Sequence, residues 1–348
     1  MSRPVKPRVL KKGDTVGIIT PSSPTFEPGT LQFSLDRLRK IGLNYKLGPN
    51  LSKSYSSYAG SDQARLDDFH TLWSDTDIKA ILPLRGGAGA PRLLPGLDFK
   101  LIARYPKILC GFSDITGLLI PIHQVTGLVT FHGPTLGLMY ENAYTHSYYL
   151  KALMSTAPIG AVGDPSDLLT GHGSDCLPDL GVDSAVEKED WGFEYPARMV
   201  IAEGSARGRL TGGCLTLIRG LMGTPWEIDC KDRIVFIEDV DEEPHTIDRM
   251  LSQLILAGKF DQAAGIVIGD CSGCRPGGSK RNVLSLNYSL ETMLRERLGQ
   301  LAIPVVYGLK IGHTIDKVTL PLGVMATLTA TTGGVVTFSI DEAACVDD

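Results

Sequence analysis

Through roughly the first 140 residues, short apolar runs alternate with longer amphipathic ones. Residues 16–20 read as a strand, begun after Gly13-Asp14 and ended by Pro21-Ser-Ser-Pro24. Leu31, Leu35 and Leu38 then recur at helical spacing, with Arg37, Arg39 and Lys40 on the other side and Gly42 as the stop. Residues 43–47 form a second strand, and Ser61 opens a helix carrying Leu66, Phe69, Leu72 and Trp73. A third strand over 80–84 runs into Arg85-Gly-Gly-Ala-Gly89 and a helical stretch around Leu93 and Leu94. Asp98 caps a short helix bearing Phe99 and Ile102. The apolar run 108–110 is a buried strand, Gly111 allows a bend, and Asp114 is placed to cap a helix through Leu118, Leu119 and Ile122. One more strand over 127–131 leads to His132-Gly-Pro134. This alternation predicts a layered α/β domain with a parallel sheet, in which ligands sit beyond the carboxyl ends of the strands. The Gly-rich loop 86–89 and Ser113 both fall at such ends.

Residues from about 140 to 195 mix Pro, Gly, Asp and Ser and read as a connection over the site. Trp191, Phe193 and Tyr195 in it serve either as a ligand-stacking edge or as a plain hydrophobic anchor. The second half has another rhythm, with strands at 199–202, 208–210, 234–237, 266–268 and 305–307. Helices are expected at 246–257 and 286–298. The run 318–320 and the alternating stretch 325–338 predict closing antiparallel strands. The expected organisation is an N-terminal α/β domain over 1–165, a linker over 166–195 and a C-terminal, β-rich α/β domain over 196–348.

Composition narrows the function. With 43% apolar and 21% charged residues, the 348-residue chain can build full cores. A net charge of -5 argues against nucleic acid as a partner. No apolar run reaches the roughly 18 residues of a membrane span, and the basic N-terminus lacks an apolar signal core. Seven thinly spread cysteines fit a reducing, cytoplasmic setting. Cys271 and Cys274 form one C-x-x-C with no second pair at ligand spacing, so neither a metal nor another cofactor is expected. The Gly-rich loop lacks the spacing of a dinucleotide fingerprint.

Ser113, between a strand and a helix, has the placement of an acyl-transfer nucleophile: an exposed hydroxyl beside unpartnered backbone N–H groups. The strict elbow G-x-S-x-G is absent, so the segment also reads as a simple polar turn. A serine needs a base, most often a histidine held by a carboxylate. Of the seven histidines, His70 reads as surface, His123 as helix packing, His132 as a pocket-lining residue, and His146 and His172 as parts of the irregular connection. His245 begins a helix as a possible cap, and His313 sits in a Gly-flanked loop after a strand, a position suited to a base. In the acidic run 238–243, Glu238 stands apart because it directly ends an apolar strand, with Asp239 pointing the other way.

Arg85-Gly-Gly-Ala-Gly89, Gly111-Phe-Ser-Asp-Ile-Thr116, His132-Gly-Pro134, Leu210-Thr-Gly-Gly213, Phe236-Ile-Glu-Asp239, Ile247-Asp-Arg-Met250, Gly312-His313 and Leu320-Pro-Leu-Gly323 occur in this order. In these motifs the chain resembles the L,D-carboxypeptidase family, which includes murein tetrapeptide carboxypeptidases and microcin C self-immunity peptidases. The resemblance implies a homodimeric serine peptidase acting on a small peptide or peptidyl-nucleotide at a site between two domains. It implies Ser113 as nucleophile, Glu238 as acid and His313 as base, with oxyanion donors from the N–H groups of Asp114 and of the Gly86-Gly87 loop. Two residues depart from the family pattern: Ala88 stands where Tyr is common, and Cys214 where Asn is common. A catalytically impaired binding protein on the same scaffold is therefore the alternative. The length and the long connection look more like the microcin branch than the murein one.

Overall fold

Residues 4–25, 28–138, 142–165, 198–274, 288–331 and 333–347 are described in a computed structural model of the chain. In the first half, β1 (Thr15–Ile19), β2 (Asn44–Leu47), β3 (Ile78–Pro83), β4 (Ile108–Gly111) and β5 (Phe131–His132) form a parallel sheet in the order β2-β1-β3-β4-β5. Four of the five residues of β1 and all of β4 are buried, as continuous apolar runs covered on both faces must be. The helices of this half are α1 (Pro28–Lys40), α2 (Asp62–Ser74), α3 (Phe99–Arg104), α4 (Thr116–Thr126) and α5 (Ala143–Leu153). Ser61 caps α2 by accepting the Ala64 N–H, and Asp98 caps α3 by accepting those of Lys100 and Leu101.

Among the described residues the second sheet has eight strands: β6 (Gly160–Ala161), β7 (Met199–Ala202), β8 (Gly204–Cys214), β9 (Arg233–Glu238), β10 (Gly265–Gly269), β11 (Val305–Leu309), β13 (Met325–Ala330) and β14 (Val336–Ile340). Its centre, β8-β9-β10-β11, is parallel, and antiparallel strands flank it on both sides. With it go α6 (Leu215–Gly220), α7 (Pro244–Leu256) and α8 (Leu290–Leu298). The helix α7 buries Ile247, Met250, Leu251 and Leu254 on one face. At about 1.5–3 kcal/mol for each such side chain, that face outweighs the weak intrinsic preference of a short helix.

The chain departs from the sequence expectations in several places. The run 318–320 does not close the second sheet. Its end becomes β12 (Leu320–Pro321), which crosses to the first sheet and pairs antiparallel with β5, Leu320 opposite His132. Strand β5 is reduced to two residues, and the stretch before it contributes only a bridge from Val5 to Leu128. The turn at Ala90–Gly96 is a 3₁₀ helix, and Pro95 inside it removes a donor an α-helix would need there. His146 lies on α5, not in an irregular connection. Helix α7 is capped from Glu243 with Pro244 leading, so His245 lies inside its first turn. Trp191, Phe193, Tyr195 and His172 lie outside the described residues.

Candidate active site

Ser113 stands two residues after β4, with φ at +60°, a left-handed conformation costly for a residue with a Cβ. Such strain marks a backbone held by its surroundings. A 3₁₀ turn over Ser113–Ile115 follows and feeds α4. The Gly-rich loop after β3 runs against this elbow: a Cβ on Gly86 would stand 3.1 Å from Ser113 Cβ. Gly87 has φ +115°, and a Cβ there would overlap the Ser23 side chain. Ser23 ties the loop twice, donating its N–H to Gly86 O at 3.3 Å and accepting the Ala88 N–H on Oγ at 3.0 Å.

Asp114 does not cap α4. Its buried carboxylate accepts the Ser22 hydroxyl at 2.6 Å and the Ala90 N–H at 2.7 Å. It joins the elbow to the end of β1 and to the Gly-rich loop. Burial pushes its carboxyl above the ordinary value despite these donors. In the sequence Ser22 and Ser23 mark only a strand end; a Pro-Ser-Ser-Pro turn carries no local sign that its hydroxyls serve a distant loop.

Glu238 ends β9 and is fully buried. The His313 Nδ1 lies 2.7 Å from Glu238 Oε2, and the His313 backbone N–H donates to the same oxygen at 3.2 Å. The approach depends on Gly312: its φ is +86°, and a Cβ there would overlap the Glu238 carboxyl. Burial alone would raise the Glu238 pKa, but contacts with His132 and His313 outweigh it and hold the carboxylate below its usual range. Burial alone would lower the His313 pKa, but the Glu238 contact and charge outweigh it and raise it above 6.5. With Nδ1 turned to the carboxylate, Nε2 is the nitrogen available to take a proton. The His313 ring lies 4.7 Å, centroid to centroid, from the ring of Phe112, the residue before Ser113.

Asp239 turns elsewhere, as strand alternation predicts: its Oδ2 accepts the Thr216 N–H at 2.8 Å and the Thr216 hydroxyl at 2.9 Å, fixing the first turn of α6. Cys214 is buried beside it, its Sγ 3.7 Å from Asp239 Oδ1, and burial pushes the thiol up. Ala88 is exposed. His70 accepts the Asp98 N–H at 3.1 Å, His123 lies with Nδ1 2.9 Å from Leu128 O, and His245 is exposed. His132 is buried with Nε2 3.4 Å from Glu238 Oε1. Cys271 and Cys274 are buried, and among the described residues no cluster of three or more His, Cys, Asp or Glu is placed to hold a metal.

Two family models match most of the chain. The LD-carboxypeptidase N-terminal domain matches residues 16–133 and the C-terminal domain residues 207–328. The chain belongs to the LD-carboxypeptidase family, Peptidase S66. As an LD-carboxypeptidase it is 37% identical to a probable murein peptide carboxypeptidase of Bacillus subtilis, over 97% of this chain and 96% of that one. It is 30% identical to the microcin C7 self-immunity protein MccF of Escherichia coli, over 93% of this chain and 92% of that one. The structure of MccF in complex with glutamyl sulfamoyl guanosine superposes with a TM-score of 0.78 at 27% identity, covering 99% of this chain and 100% of that one. Because the murein-named relative is matched over nearly its whole length, chain length does not separate the two branches.

Proposed function

We propose that this LD-carboxypeptidase is a serine peptidase using Ser113, Glu238 and His313 to hydrolyse an amide bond near the C-terminus of a murein peptide or a peptidyl-nucleotide. The observation that carries the reading is the 2.7 Å contact between His313 Nδ1 and Glu238 Oε2, beside a serine elbow. In this reading His313 Nε2 removes the Ser113 proton as Oγ attacks the carbonyl, then returns it to the leaving amine. Glu238 fixes the imidazole and stabilises its charged form. The N–H groups of Asp114 and of the Gly86-Gly87 loop receive the oxyanion. The murein class is supported by the 37% identical relative, and the peptidyl-nucleotide class by the ligand in the MccF complex. The departures at Ala88 and Cys214 favour no impaired binder: one is exposed, and the other turns into the core beside Asp239. A homodimer in the cytoplasm, with an N-terminal domain over 1–165, a linker over 166–195 and a C-terminal domain over 196–348, belongs to the same proposal.

The test is a mass-spectrometric cleavage screen of murein tetrapeptides and aminoacyl sulfamoyl nucleosides. Ser113→Ala should fold normally and lose a factor of ~10⁴ or more in kcat. Near-normal turnover by that variant on a cleaved substrate would refute the triad.

A further inference from the structure

His313 occupies one oxygen of the Glu238 carboxylate. The other, Oε1, is buried and faces His132 Nε2 at 3.4 Å, a long contact rather than a full hydrogen bond. His132 is 1% exposed, and among the described residues neither its Nδ1 nor its Nε2 has a hydrogen-bond partner. A buried imidazole with no such bond is costly, so its orientation is informative. Two aromatic rings fix it: Phe112 at 6.3 Å and Phe236 at 5.2 Å, both edge-on. Its backbone is fixed as well. His132 lies opposite Gly111 on β4 and opposite Leu320 on β12. The strand that ends at the serine elbow therefore sets the position of an imidazole aimed at the acid in the other sheet.

We propose that His132 is a positioning residue for Glu238, holding the carboxylate by its second oxygen so that Oε2 stays aimed at His313 when the serine attacks. The inference rests on the triad reading above. His132 acts through Glu238 and touches no reacting atom. It donates from Nε2, and the contact tightens once substrate closes the site, as hydrogen bonds in ligand-free sites commonly do. Taking this donor away lets the carboxylate turn, so Oε2 leaves its line to His313 Nδ1 and the contact that supports the imidazolium weakens. The acid limb of the rate profile then moves to lower pH. Other groups that act on the pair are unchanged by the substitution: Asp239 and Lys317 act on His313, while Cys214 and Cys271 lie in the field of Glu238.

The experiment compares His132→Phe, which fills the space without a donor, with His132→Gln, whose amide places a donor where Nε2 stood. Ser113→Ala and His313→Ala are the controls. His132→Phe should lower kcat by roughly 10- to 100-fold with little change in KM, and should move the acid limb of kcat/KM downward. His132→Gln should restore most of both. Wild-type kcat and an unmoved profile in His132→Phe overturn the inference, as does a His132→Gln protein as impaired as His132→Phe. Should His132→Phe not fold, ¹⁵N-imidazole spectra of the wild-type protein decide: a proton on Nε2 supports the role, and a bare Nε2 overturns it. Retained turnover in Ser113→Ala and His313→Ala defeats the triad itself. Loss of activity in those two with no change in His132→Phe defeats only the role of His132.

Discussion

Gly312 shows how closely the site depends on single atoms. The loop bearing His313 folds back on Glu238 only because no Cβ intervenes and because the backbone takes a positive φ. Gly312→Ala should cost roughly 1–3 kcal/mol in stability and about 10²-fold in kcat, read from denaturant midpoints and steady-state kinetics. A variant with normal kcat would mean that the Glu238–His313 contact is not needed for turnover. The same contact makes a titration prediction. Glu238→Gln removes the interaction that offsets burial, so the His313 pKa should fall from above 6.5 to below it, followed by NMR of the ring protons. An unmoved or higher pKa would show that another group holds the proton. Glu238 and His313 were legible as candidates because Glu238 ends the apolar strand β9 and His313 lies four residues past β11, on a loop carried by a rigid element. The role of Gly312 was not, since a sequence displays a glycine but not its φ.

At the scale of elements, the strands and helices that follow clean hydrophobic periods were legible: β1, β9, α2 and α7 lie within a few residues of their expected spans. Contacts between loops were not. Asp114 reads locally as a helix cap, yet its carboxylate ties the elbow to Ser22 and Ala90. Local sequence offers it a helix N-terminus, while the fold offers two donors already held in place. Asp114→Asn would set an amide NH₂ against one of those donors. That should cost about 1–3 kcal/mol and loosen the Gly-rich loop. Activity should fall mainly in kcat, because the loop is proposed to bind the developing oxyanion rather than the ground state. Thermal melting and kinetics on one cleaved substrate check both parts. A large rise in KM with kcat unchanged would count against an oxyanion role for that loop.

For the molecule as a whole, the two sheets are not separable units. The two residues of β12 complete the first sheet from far along the chain, a crossing too short for any periodic signal to announce. Close by, His123 on α4 packs its ring against Gly323, where a Cβ would overlap it, and its Nδ1 meets Leu128 O. Burial pushes the pKa of His123 down from 6.5 to about 4. The sign follows from proton counting. Between those two values the unfolded chain binds more protons at this site than the folded one, so stability is lost as pH falls from 6.5 to 4. At about 1.36 kcal/mol per pH unit the loss approaches ~3 kcal/mol once the folded form also titrates. His313, with a raised pKa, acts in the opposite sense: its contribution is full below 6.5 and fades as pH rises through its folded value. Asp68, Asp114 and Asp239, each raised by burial, also oppose the loss at the acid end. The clean quantity is therefore a difference. Urea unfolding of the wild type and of His123→Gln, measured from pH 7.5 down to about 4, should give curves that converge as pH falls. The variant, with no group to titrate there, loses less. A stability difference that stays constant over that range would show that His123 remains as easily protonated in the fold as in the free chain.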